Sequence, residues 1–147
     1  MYPFFLIVHS WLRWLALVAG ILAAVQAYQT PADRPASEGG RGGLVFTICM
    51  DVQMLVGLIL YVFLSPFTSQ AFHDFGAAMQ NAGLRFWAVE HITTMVLAVA
   101  CAHAGSRQAK RAWYRRAAIV YAIAVVLMAI GMPWPARAAG RALFRFS

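Results

Sequence analysis

Two histidines stand at matching positions in two long apolar segments of the chain. His9 lies about five residues inside the segment 4–28, and His91 lies about five residues inside the segment 86–104. If these segments are the first and third of four membrane-spanning helices, the helices run in the same direction and both imidazoles lie at the same depth. Two imidazoles on different helices can bind one haem iron from opposite sides. The pair therefore predicts one b-type haem between helices one and three, with His9 and His91 as its metal ligands.

The alternative for these two residues is structural, as a pair of interfacial histidines that hydrogen-bond their neighbours. The chain has 4 histidines, and the other two offer further options. His103 lies roughly 18 Å beyond His91 on the same predicted helix. A second haem at that level would need a partner, for which Met50 or Met54 could supply a thioether ligand. The favoured interpretation places His103 at the membrane interface and His73 in solvent.

Charged residues within or beside the predicted spans form a second group of candidates. A charge inside a span is costly and usually marks a paired or functional position. Arg13 follows His9 by one helical turn, so the two side chains share a helix face. We expect Asp51 within about one helical turn of the level of Arg13, where a cross-helix ion pair could form.

Glu90 is expected to pair with Arg85 or with Arg13, near the same face of the membrane. Two functional alternatives remain open beside these structural pairs. Arg13 or Arg85 could anchor a haem propionate, and Asp51 and Glu90 could form a proton or quinone site.

Sulfur-containing side chains raise copper as another metal, because thioethers select Cu(I). Five methionines are spread over three predicted helices without a tight cluster, which favours packing in the core: Met50, Met54, Met95, Met128 and Met132. Cys49 and Cys101 have no CxxC spacing, so we expect small core residues and neither a disulfide nor a metal site. No nucleophile triad, phosphate loop or hydrolytic carboxylate pair is present, and no catalytic residue is predicted.

The composition predicts an integral membrane protein. Of the 147 residues, 62% are hydrophobic and 12% are charged, and the mean hydropathy is +0.66. A soluble chain of this length could not bury so much apolar surface, since about a quarter of the residues of a typical soluble domain are charged. The net charge of +7 comes mostly from arginines that flank the apolar segments, a pattern that argues against nucleic-acid binding.

Four spans are predicted within one transmembrane domain, 1–147, at about 4–28, 44–64, 85–104 and 117–132. The first three are long enough for a hydrocarbon core of roughly 30 Å, and the fourth is marginal. The expected fold is all-α, an up-down four-helix bundle. The segment 65–84 is too polar to span, and we expect it on the membrane surface, over the end of the bundle where the two histidines emerge.

The distribution of basic residues predicts the orientation. Seven lie in the two loops on one side of the predicted bundle: Arg34, Arg41, Arg107, Lys110, Arg111, Arg115 and Arg116. Four lie on the other side: Arg85, Arg137, Arg141 and Arg145. The richer side is expected to be cytoplasmic. The interpretation is a multi-pass protein of a bacterial inner membrane, with both termini and the histidine end facing the periplasm.

Four short strings carry a resemblance to a known family. HSWLRW at 9–14, DVQMLVGLILY at 51–61, RFWAVEH at 85–91 and PWP at 133–135 resemble small bacterial four-helix membrane proteins that are labelled cytochrome b-like. The resemblance covers most of the chain. It implies that the family's motif positions are His9, Arg13, Asp51, Arg85, Glu90 and His91. Two-haem membrane cytochromes b have two depth-matched histidine pairs, whereas this chain shows one.

Three functional hypotheses follow from these residues. The first is a membrane electron-transfer protein with one haem b, which exchanges electrons with quinol or with another membrane subunit, in a respiratory or photosynthetic complex. The alternative is a non-catalytic accessory subunit of a larger complex, without a cofactor of its own. The third is a metal or small-molecule transporter, favoured if the histidines and methionines converge without a haem-sized gap.

Overall fold

Long apolar runs form long helices in this protein, because a helix satisfies its own backbone hydrogen bonds where water is scarce. In the computed structural model, which describes residues 1–35, 40–142 and 144, helix is the only regular secondary structure of the described part. Arg145 and residues 36–39 of the first predicted loop lie outside it. The helices are α1 (Tyr2–Gln29), α2 (Arg41–Ile59), α3 (Pro66–His73), α4 (Phe75–Gln80), α5 (Ala82–Arg85), α6 (His91–Ala109) and α7 (Tyr114–Ile130). The predicted all-α class is confirmed.

Three continuous helical segments are long and apolar enough to cross a membrane. They are Tyr2–Gln29, Arg41–Leu64 and Ala82–Ala109, which contain 18-residue stretches with mean hydropathies of 1.8, 2.1 and 1.3. The second and third each include a π-helical turn, at Leu60–Leu64 and at Phe86–Glu90. The fourth predicted span corresponds to α7, which has 17 residues and is therefore about 26 Å long.

The four long helices pack in a defined order. Helix α1 packs against α2 and α7, and α6 packs against the same two helices. Helices α1 and α6 therefore stand opposite each other. Small side chains allow the close approach: Ala16, Ala98 and Ala102 are fully buried. On α1, Ala23 is also buried, whereas its neighbour Ala24 is only partly buried.

Helix α6 continues five residues beyond its predicted end at 104. Gly105 follows the predicted span, but it lies within α6 and is a contact position between α6 and α7. A Cβ atom at Gly105 would lie 2.6 Å from Cδ1 of Tyr121, so only glycine allows the two helices to approach this closely. The connection to α7 is a short turn in which Ala112 has a φ of 57°.

The two π-helical turns face each other near the end of the molecule that lies opposite the connection between α6 and α7. The hydroxyl of Tyr61 in the first turn donates a 2.6 Å hydrogen bond to the carbonyl oxygen of Ala88 in the second. A π turn shifts the register of the residues that follow it and is frequent at functional sites. The second turn leads directly into His91.

The polar segment between α2 and the second π turn forms the short helices α3, α4 and α5. Side chains cap their N-termini: Ser65 accepts from the Thr68 amide, Asp74 from that of Ala77 and Asn81 from that of Leu84. Caps of this kind satisfy backbone donors that a short helix leaves free. Ala71 and Ala78 form a small buried cluster with Ala88 of the π turn.

The Gly105 contact leads to a test of helix packing. Gly105→Val should destabilise the protein by about 2 kcal/mol, because the new side chain overlaps the Tyr121 ring in a packed core. The measurement is thermal unfolding in detergent, followed by circular dichroism. Gly76→Val is the control, since a Cβ atom at Gly76 meets only Asp74 Oδ1, at an ordinary 3.7 Å. Equal melting temperatures for the two variants would contradict the proposed role of Gly105.

Candidate functional site

The histidines on the opposite helices α1 and α6 approach each other across the interior of the protein. The ring centroids of His9 and His91 are 6.3 Å apart, and their ring planes are inclined at 72°. Both side chains are mostly shielded from solvent. The structure thus brings together the two residues that the sequence placed at the same depth.

The orientation of His91 is set by a backbone group. Its Nδ1 lies 2.7 Å from the carbonyl oxygen of Gly131, just beyond the end of α7. Since a carbonyl oxygen only accepts, Nδ1 carries the proton and donates it. This hydrogen bond leaves Nε2 of His91 as the nitrogen with a lone pair, which is the usual arrangement of a metal-binding histidine.

The His9 ring is held by α2. The Nε2 of Gln53 donates to the His9 carbonyl oxygen over 3.1 Å and lies 3.3 Å from Nε2 of the His9 ring. Gly57 lies one turn further along α2, and a Cβ atom there would approach Cε1 of His9 to 3.0 Å. Within the described part of the chain, Nδ1 of His9 and Oε1 of Gln53 are buried without a hydrogen-bond partner. Orphaned buried atoms of this kind call for an explanation.

A cavity extends from the two imidazoles between all four long helices. Together with the open space at its mouth it measures about 930 Å³. Most of the lining is apolar. The cavity is bordered by the five methionines that lie on three different predicted spans: Met50, Met54, Met95, Met128 and Met132. Their convergence could not be read from spacing along single helices.

Two arginines border this cavity, and only one of them was among the predicted anchors. Arg13 lines it, as expected for a residue one turn from His9. Arg85 does not border it. The other arginine is Arg141, from the segment after α7, which no motif had singled out.

Arg141 lies near the mouth of the cavity among polar and aromatic groups. It donates a 3.1 Å hydrogen bond to the hydroxyl of Tyr2. Its guanidinium carbon lies 4.2 Å from the ring centroid of Trp87 and 5.0 Å from that of Phe67. Contacts between guanidinium groups and aromatic rings hold the cation without neutralising its charge.

The remaining charged candidates form pairs away from the cavity. Arg85 binds Glu90 over 2.8 Å, one of the two pairs expected for Glu90. Asp51 pairs with His103 across α2 and α6, also at 2.8 Å. The expected ion pair between Asp51 and Arg13 is therefore wrong for this structure, because the Asp51 carboxylate points to the surface and not into the bundle.

The fourth histidine, His73, is exposed at the end of α3, as the polar surroundings of this residue predicted. The structure thus separates the four histidines into an inward-facing pair and two surface residues. The short-helix segment also reaches the site, since Ser65 and Thr68 border a second cavity that adjoins both imidazoles.

Comparison of the chain with protein-family models, with curated proteins and with solved structures finds no match. The resemblance to the cytochrome b-like family therefore stays an expectation from its motifs. The interpretation of the site depends on the residues themselves.

The different exposures of the histidines give a chemical test of the site. In detergent-purified protein, diethyl pyrocarbonate should modify His73 first, while His9 and His91 resist. Gln53→Ala removes the amide that lies on His9 and should raise the modification rate of His9 several-fold. Peptide mass spectrometry measures each site separately, with His73 as the internal control. Rapid modification of His9 and His91 in the native protein would contradict the buried pair.

Proposed function

We propose that the protein is a four-span membrane protein that binds one b-type haem between His9 and His91 and transfers single electrons. The separation of the two imidazoles carries this proposal. Two imidazoles that bind one metal ion from opposite sides, with bonds of about 2 Å, have ring centres about 6 Å apart. The separation of 6.3 Å matches this value.

The groups around the imidazoles also fit a haem. Gly131 fixes the tautomer of His91, and the absence of a side chain at Gly57 leaves room beside His9. The unpartnered Nδ1 of His9 has hydrogen-bonding capacity that the described residues do not use. A haem bound here would supply one-electron redox chemistry in an apolar setting that, with the axial ligands, determines its potential.

Arg141 supports a ligand that carries negative charge. Its contacts among the described residues are a neutral hydroxyl and aromatic rings, so its positive charge is not cancelled by these groups. Arg141, together with Arg13, would hold the propionate groups of a haem. This assignment replaces Arg85 as the second anchor, since Glu90 already neutralises Arg85.

The same geometry suggests where electrons enter and leave. One metal site close to one end of the helices cannot carry electrons across the whole bilayer. We therefore propose exchange with quinol or with another membrane subunit, as in a respiratory or photosynthetic complex. The excess of basic residues at the opposite end supports an inner-membrane protein with both termini in the periplasm.

A copper site is the second candidate function. It is favoured by the five methionines that border the cavity, because thioether and imidazole ligands suit Cu(I). The positive charge of Arg141 opposes it, since a bare cation in a site of low dielectric constant is repelled by a nearby guanidinium. A cofactor-free accessory subunit is the remaining alternative.

The first test is a reduced-minus-oxidised visible spectrum with a pyridine haemochrome assay on the purified protein. We expect a b-type α band and equal amounts of haem and chain. His9→Ala and His91→Ala should each lose haem while still inserting in the membrane, because each removes one axial ligand. His73→Ala is the control and should keep the full amount.

Other outcomes of this experiment separate the alternatives. Retained haem in His91→Ala would refute the ligand assignment. Stoichiometric copper without haem, measured by mass spectrometry of metals, would support the copper site. Folded protein that holds neither would favour the accessory subunit.

A second test concerns Arg141 as the residue that would hold a haem propionate. Arg141→Gln should lower the midpoint potential of bound haem, because a positive charge near the iron favours the reduced form. The expected shift is tens of millivolts, as for one charge nearby at an effective dielectric constant of about 20. Arg85→Gln is the matched control and should change the potential less. A larger shift in Arg85→Gln would restore Arg85 as the anchor.

A further inference from the structure

Asp51 and His103 present an ionisable pair on the outer surface of the helices. Oδ1 of Asp51 lies 2.8 Å from Nε2 of His103, and the two side chains are 52% and 48% exposed. Asp51 stands close to the middle of the span Arg41–Leu64. Ionisable residues within membrane spans almost always face the bundle interior, a water-filled cavity or another polar group. A half-exposed pair at this depth is therefore costly if only lipid tails cover it.

Most of the exposed neighbours of the pair are apolar. On α2, the exposed neighbours of Asp51 are Ile48 and Leu55, which are 52% and 60% exposed. On α6, Val96 and Ala100 occupy the same face as His103. The pair thus borders an apolar stripe on each helix, with the exposed Arg107 one turn beyond His103 on α6, and Ala100 allows a neighbouring helix to come close.

We propose that this α2/α6 face is the contact surface of a homodimer, in which the Asp51–His103 pair of one copy meets the same pair of a second copy. Nε2 of His103 already contacts Asp51 of its own copy. The pair is complementary to itself when the imidazole carries both protons, since Nδ1 of each copy can then donate to the Asp51 carboxylate of the other. A two-fold interface requires this property.

The geometry of a membrane favours a second copy over another occupant. A two-fold axis along the membrane normal keeps every residue at its own depth, so the pairs of the two copies meet at the same level without further adjustment. The four groups then satisfy one another away from lipid. An unrelated subunit would need a matching polar group at that same depth. This inference does not depend on the haem proposal, because the pair lies outside the cavity lining.

Cysteine cross-linking tests the surface. In full-length protein in liposomes, with both native cysteines replaced by alanine, Ala100→Cys should cross-link between copies under mild oxidation. Val126→Cys, on the exposed side of α7, is the control and should not cross-link. Val126 is 55% exposed, so both positions are accessible. Equal cross-linking at the two positions would overturn the proposed surface.

A second measurement tests the pair itself. Asp51→Asn and His103→Leu should weaken dimerisation in detergent by roughly 9-fold, since each of two symmetric polar contacts within a membrane contributes roughly 3-fold on average. Concentration-dependent light scattering gives the dissociation constant, and circular dichroism confirms folding. A protein that is monomeric at all concentrations, or a dimer that both substitutions leave unchanged, would overturn the proposal.

Discussion

Close packing of the helices around Tyr121 at one end of the protein is the constraint on which the site depends. The Tyr121 ring fills the space that side chains would occupy at Gly43 and Gly105, and it packs edge-on against Phe46. Because alanines and glycines fill the rest of this end, the helices are close together there and rigidly spaced. Toward the other end, a cavity that adjoins His9 and His91 lies between the helices.

Within that cavity, few polar groups do most of the positioning. The carbonyl oxygen of Gly131 is free to accept a hydrogen bond because α7 ends there. The segment that follows α7 then places Arg141 over the mouth of the cavity. Gln53 is the corresponding group on α2, with its amide against His9. Each of these contacts comes from a different element, so the orientation of the two imidazoles depends on the whole helix arrangement and not on any single helix.

The sequence predicted those features that depend on position along one helix. The level of His9 and His91 follows from the start of each apolar run, and the pairing of Glu90 with Arg85 follows from their proximity in the chain. The sequence did not predict the features that depend on how one helix is rotated about its axis relative to its neighbours. Asp51 was expected to face inward, yet it points outward, and Gln53, two residues later, takes the inward position. Gly105 resembles a residue that ends a helix, but it is a contact position, and its role depends on Tyr121 of the neighbouring helix α7.

The position of the cavity also limits what the protein can exchange. Its lining ends at Met50 and Val99 toward the packed end, where Tyr121 and buried alanines fill the space between the helices. Toward the opposite end, the partly exposed Tyr2 and Arg141 form a polar and aromatic rim. A redox partner of the proposed haem would therefore meet this rim, whereas the Asp51–His103 face lies on the flank and leaves the rim free. Self-association through the flank and electron exchange at the rim are thus compatible in one assembly.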